Sequence, residues 1–200
     1  MRAHRRRLEL KIVAVAMSRL LAIVVASASL GLTTLGSEGS QLEYKVKAGY
    51  LYNFAKLVEW PAAMLPAPDS PFVIAVLDGG EALPVVKALL EGKALNGHAV
   101  HVKSAPAGSI ERDVHILFVT RAAKETPEEI EVALGGAATL LVGETDGFAQ
   151  RGGIINFVMV DSSVKFEANP AAAGRSHLTL GSQLLKLAIV VKDGNLARRP

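Results

Sequence analysis

Two hundred residues, half of them hydrophobic and 20% charged, are enough for one full core and exclude wholesale disorder. The absence of cysteine excludes disulfides and thiol catalysis. The formal charge of +3 does not point to nucleic acid, because residues 1–39 hold six basic and two acidic side chains and leave the remainder at about −1.

Residues 1–39 read as a secretory signal peptide. Arg2, Arg5, Arg6, Arg7 and Lys11 precede an apolar stretch, Arg19 interrupts it, Leu20 to Leu35 is apolar or small, and Gly36, Ser37, Gly39 and Ser40 follow. A start at Met17 gives a cleaner signal and makes residues 1–16 a mis-assigned extension. The alternative is an uncleaved anchor helix, which needs about 20 apolar residues; the run after Arg19 is short for that and ends in small residues. No Cys closes it, so a lipoprotein signal is excluded. The expected domain is 40–200, held by its core alone.

Val46, Tyr50, Phe54 and Leu57, widened by Leu51, Ala55 and Val58, predict a helix over 42–60, with Glu59-Trp60-Pro61 as its cap. Pro61 cannot continue it. Ala62 to Ser70 carries Pro66 and Pro68 and reads as a surface loop. Phe72 to Leu77 is a continuous apolar run and predicts a buried parallel strand. A helix from about Glu81 to Leu90 follows, with Pro84 in its first turn. Lys93 to Gly97 reads as a turn, Ala99 to Lys103 as a strand, and Val114 to Thr120 as a second fully apolar strand.

Pro127 to Leu134 predicts a helix with acidic residues in its first turns, ended by Gly135-Gly136. Thr139 to Val142 is a further strand. Gly153 to Val160 and Val164 to Ala168, joined through Asp161-Ser162-Ser163, predict a hairpin. A helical turn at Pro170 to Gly174 and a last helix from about Leu180 to Val190 close the chain. Strands alternating with helices imply a single-domain α/β fold, a mixed sheet with helices on both faces in a Rossmann-like sandwich.

A catalytic constellation is not legible. Asp78-Gly79-Gly80 lacks the dinucleotide and P-loop patterns, and no G-x-S-x-G elbow exists. Glu144 and Asp146 stand in a loop at a strand end, where they could flank a bound ligand, but carboxylates in loops are usually solvated. His98 and His101 are three apart on a strand and face opposite sides, His115 begins an apolar strand with no carboxylate beside it, and His177 stands alone with Arg175, so no metal site and no cofactor are expected. Trp60, the sole tryptophan, is expected to be half-buried with its N–H seeking a partner. Asn53 and Asn169 read as residues that satisfy buried backbone groups and cap helices, Asn169 standing just before Pro170. Glu167 shares the strand face of Ser163, opposite Phe166. Glu167 and Arg175 suit surface recognition and a local ion pair equally. Glu167, Asn169, Arg175 and Trp60 are therefore the candidate partner- or ligand-binding residues.

Six blocks stand in order along the chain: K-A-x-Y-L-Y-N-F-A-K-x-V-E-W-P from Lys47, G-K-x-L-N-G from Gly92, H-I-L-F-V from His115, G-F-x-x-x-G-G-I-I-N-F from Gly147, V-K-F-E-x-N from Val164, and S-Q-L-L-K-L-A from Ser182. From about Tyr44 to Val190 this order resembles the YfiR/HmsC family. The resemblance implies a periplasmic, non-enzymatic regulator with a compact α/β fold that tends to form a homodimer. It implies binding to the periplasmic sensor domain of an inner-membrane GGDEF diguanylate cyclase, which is held inactive. An OmpA-like outer-membrane lipoprotein can sequester the regulator, so that cyclic-di-GMP and biofilm formation rise. One departure has a physical consequence. Ala75 and Val114 stand where such proteins often carry Cys, so redox control through a disulfide is closed to this chain, while small aliphatic side chains preserve the packing. A periplasmic small-molecule-binding sensor module is the alternative reading, since strand ends of an α/β sheet form natural crevices. A hydrolase would need a nucleophile and base in contact, and no pair qualifies.

Overall fold

The computed structural model describes residues 32–64 and 70–194. The expected signal peptide with its alternative start at Met17, and most of the expected proline-rich loop, fall largely outside the described residues. The chain divides into two compact units, Met1–Ser40 and Gln41–Pro200. Among the described residues the second unit holds every strand, and the helix α1 (Leu32–Leu57) from Gln41 onward. No helix among the described residues is long and apolar enough to cross a membrane.

α1 buries Tyr44, Ala48, Leu51, Phe54 and Ala55, whereas Val46 is 42% exposed. The inward stripe is therefore turned from the predicted one, and Asn53, expected to satisfy buried groups, is exposed. Aromatic packing sets this rotation. Phe54 stacks on Phe157 at 5.8 Å and meets Phe166 edge-on at 4.9 Å, and Tyr50 meets Phe166 at 5.5 Å. Burying Leu51 and Phe54 stabilises the helix by about 1.5–3 kcal/mol each. α1 stops at Leu57, not Trp60. The next two residues form β1 (Val58–Glu59), which pairs with β9 (Thr179–Leu180), and the Gly181 N–H caps the Leu57 carbonyl at 3.0 Å.

The main sheet follows from β2 (Phe72–Leu77), α2 (Ala82–Leu90), β3 (Ala94–Leu95), β4 (His98–Ala105), β5 (Ile116–Val119), α3 (Pro127–Leu134), β6 (Leu140–Gly143), β7 (Ile155–Val160), β8 (Ser163–Ala168), α4 (Pro170–Arg175), α5 (Ser182–Leu187) and β10 (Ile189–Val190). Its order is β10-β8-β7-β6-β5-β2-β4-β3. Pairs β2–β4, β2–β5, β5–β6, β6–β7 and β8–β10 are parallel, whereas β7–β8 and β3–β4 are antiparallel, so the sheet is mixed as expected. The predicted 93–97 turn is instead a short hairpin, turned by Asn96 and Gly97 at φ 49° and 92°. The predicted last helix is split. Gly181 is extended before α5, and β-branched Ile189 and Val190 leave the helix to pair with Glu167 and Ala168.

α3 begins with a complete capping box between Thr126 and Glu129 and ends on left-handed Gly135. The register puts Phe118, Val142, Ile155, Phe157 and Phe166 on the face covered by α1. Asn156 and Glu167 lie on the opposite face, with Gln150 of the 3-10 turn Ala149–Arg151. The β2–α2–β4 and β5–α3–β6 connections run in opposite directions from the centre, and right-handed crossovers put their helices on opposite faces. The strand order thus reverses between β2 and β5. In open α/β sheets the crevice lies at the carboxyl ends of the strands beside such a switch point.

Candidate functional site

Glu43 and Lys47 stand one turn apart on α1. On a solvated helix that spacing gives a weak surface pair. Here Lys47 lies on the inward side of α1 and is 2% exposed. Its ammonium donates to Glu43 Oε1 and to Glu144 Oε2. Glu144 directly follows β6, and its side chain is wholly buried. Glu144 Oε1 accepts the Arg121 backbone N–H at 2.8 Å and the Tyr44 hydroxyl at 3.2 Å. Arg121 Nη2 donates to Glu43 Oε1 at 2.7 Å, and its Nε lies 3.5 Å from Glu144 Oε1. Thr120 pins the end of β5 to the end of β2 by donating to the Leu77 and Asp78 carbonyls at 3.2 and 2.8 Å.

Two carboxylates, one ammonium and one guanidinium therefore balance beneath α1, with the Lys47 ammonium 5.1 Å from the Tyr44 ring centre and 5.6 Å from that of Phe157. Burial pushes the Tyr44 hydroxyl up to about 12, and the negative charge of Glu144 adds to it. Burial also pushes Glu43 upward, but the bonds and charges of Lys47 and Arg121 outweigh it and hold Glu43 below its ordinary value. For Arg121 burial acts downward, and the carboxylates of Glu144 and Glu43 prevail and raise it.

A cleft of about 410 Å³ opens beside this cluster, within the usual size for a small-molecule site. Glu43, Lys47, Arg121 and Glu144 form its charged wall, Phe157, Val158 and Met159 its apolar wall, and Thr145 and Asp146 complete the lining. It sits where β5 and β6 end. Reading the sequence missed this cluster. The expectation that Glu144 is solvated is corrected: its partners lie 97 and 100 residues away on α1. The only local signal was a lysine inside an otherwise apolar helical stripe.

The four residues singled out from the sequence lie elsewhere. Trp60 is half-buried and donates its Nε1–H to the Ala55 carbonyl at 3.2 Å. Glu167 is 4% exposed and accepts from Gln150 at 3.2 Å and Asn156 at 3.1 Å, so its reading as a surface residue is corrected. The alternation of β8 fails there because both faces of the sheet are covered. Asn169 is buried, caps α4 by accepting the Ala172 N–H at 3.1 Å, and donates to the Ala149 carbonyl and to Asp193. Arg175 bonds Glu131 at 2.9 Å and Asp193 at 2.5 Å, which is the local ion pair. Glu167, Asn169 and Arg175 thus share one region, and Trp60 stands apart from them against Phe72 and His115.

The histidines do not converge. His98 Nδ1 bonds the Ser70 carbonyl, and His101 Nδ1 bonds Glu91. Among the described residues no group of three or more His, Cys, Asp or Glu side chains is placed to hold a metal ion.

Comparison with curated proteins returns no match. Among solved structures, a conserved domain protein from Vibrio cholerae O1 biovar El Tor strain N16961 is similar, with 15% identity and a TM-score of 0.46 over 61% of this chain. The chain spans 55% of the length of that protein. The model of the YfiR/HmsC-like family matches residues 44–189, from the tyrosine above the buried ion cluster to the first residue of β10. That match takes in nearly all of the sheet-bearing unit, and the chain belongs to the YfiR/HmsC-like family.

Proposed function

We propose that this protein is a periplasmic regulator that works by binding and not by turnover. Its partner is the periplasmic sensor domain of an inner-membrane diguanylate cyclase, which it holds in the inactive conformation. Repression is a population shift whose leverage is set by the difference in affinity for the two cyclase conformations. Residues 1–39 are the export signal, and an OmpA-like outer-membrane lipoprotein and a homodimer belong to the same reading. The observation that carries it is the family match over residues 44–189. Arg175 and Trp60, the two candidate residues that reach the surface, are the proposed contacts; Asn169 backs Arg175 through their shared partner Asp193, Glu167 lies buried in the same region, and Trp60 is a separate contact. Deleting the gene raises cellular cyclic-di-GMP, read by mass spectrometry of nucleotide extracts. An unchanged level in the deletion strain would falsify the reading.

A second reading, a small-molecule sensor, is favoured by the cleft beside Lys47 and Glu144. A thermal-shift screen against amino acids and aromatic metabolites separates the two. A ligand that raises the melting temperature in wild type and not in a Met159→Trp variant supports the cleft as its site. The two readings are compatible, since an occupied cleft would tune repression.

A further inference from the structure

We propose that His115 is a proton-operated latch that holds the turn Trp60–Met64 against the edge of the β2–β5 pair and releases it in acid. The geometry fixes the state of the ring without reference to any titration. The Val73 N–H can only donate, and it points at Nδ1 from 3.0 Å. The Met64 carbonyl can only accept, and it lies 2.8 Å from Nε2. The imidazole must therefore be neutral, with its proton on Nε2. The His115 backbone N–H also donates to the Val73 carbonyl at 3.0 Å. The ring nitrogen thus extends the parallel ladder of β2 and β5 by one rung, taking the place of a strand carbonyl.

Protonation at Nδ1 removes the acceptor of the Val73 N–H and sets two N–H groups against each other. The ring is 4% exposed and stacked on Phe72 with centres 4.4 Å apart, so water is not at hand to replace the lost bond. The ring must then turn or leave, and either movement breaks the bond to Met64. The Met64 N–H is itself bonded to the Pro61 carbonyl at 2.8 Å, so Met64 moves with the turn. Trp60 lies edge-on to both Phe72 and His115, at 5.3 and 5.9 Å, so its emission senses the ring's movement.

The titratable groups that face the ring are His98 on β4 and Asp113 just before β5. Burial lowers the affinity of His115 for a proton, the bond to Met64 and the charge of Asp113 raise it, His98 lowers it, and the net direction is down. The sign follows. The latch is closed above the ordinary histidine value of about 6.5 and is lost as pH falls below it.

Trp60 is the only tryptophan, so its fluorescence reports this one place. In the full chain, titration from pH 8 to pH 4 gives one reversible step in Trp60 emission with a midpoint below 6.5. The Val73 amide exchanges faster over the same range, while the Leu141 amide in the middle of the sheet stays protected. His115→Asn keeps an acceptor near Val73 and cannot titrate, and the step disappears. NMR titration of the wild-type imidazole supplies a readout that does not depend on the variant folding. Three results overturn the proposal: the step persists in His115→Asn, His115 takes up its proton with no change at Val73 or Trp60, or Leu141 loses protection together with Val73.

Discussion

Two ion clusters of this domain use the same chemistry in opposite surroundings. Beneath α1, the pair Lys47 and Glu144 is 2% and 0% exposed, and Arg121, itself 57% exposed, closes it from the solvent side so that every charge has a partner. Beside α4, Arg175 bridges Glu131 and Asp193 with side chains 39–46% exposed. Distances would rank the two as equals. Solvent does not, because a buried charge that loses its partner has nothing to replace it, whereas an exposed one is taken up by water. The first cluster therefore fixes how α1 sits on the strand ends, and the second is free to exchange partners, which suits a surface that meets another protein.

The largest effect is expected at Lys47. Lys47→Met leaves Glu144 buried without its ammonium and lowers stability by about 3–5 kcal/mol in urea unfolding. The double variant Lys47→Met, Glu144→Gln recovers part of that loss, because the stranded charge is gone. A loss below about 1 kcal/mol in the single variant would erase the contrast with Arg175.

Alkali sharpens the comparison from another side. Tyr44 is raised to about 12, first by burial and then by Glu144, so folding favours the neutral phenol. Its contribution is complete below the ordinary tyrosine value of about 10 and is lost as pH rises from there through about 12. The melting temperature of wild type should drop across that window, and Tyr44→Phe should flatten the drop. An identical slope in the variant would remove Tyr44 from the account.

The smallest effect is expected at Arg175. Arg175→Ala costs less than about 1 kcal/mol of stability. Under the proposed function, the same substitution weakens binding to a cyclase sensor domain in calorimetry. Loss of soluble protein instead would assign Arg175 to the scaffold.

Much of the fold was legible because it is written locally. Phe72–Leu77 is an unbroken apolar run, and Pro127, the acidic first turns and Gly135-Gly136 announce α3 on their own. Asn169 before Pro170 was readable as a cap for the same reason. What could not be read is what depends on distant partners. The inward face of α1 is chosen by Phe157 and Phe166, more than a hundred residues on. Ile189 and Val190 continue an apolar helical pattern until β8 offers them a ladder. Glu167 alternates correctly for an exposed position and is buried because Gln150 comes over it from another segment. Lys47 and Glu144 look like ordinary solvated charges until the fold brings them together.

The small β1–β9 clasp has a consequence for the order of assembly. The carboxyl end of the first helix is closed by Leu180 and Gly181, and a Cβ at Gly181 would stand only 2.4 Å from the Leu57 oxygen, so no other residue fits without a shift. A nascent chain emerging from its amino end cannot fasten this seam until synthesis is nearly finished. Contacts of such long sequence separation slow folding, and a chain cut short before residue 179 would lack the partner that α1 is waiting for.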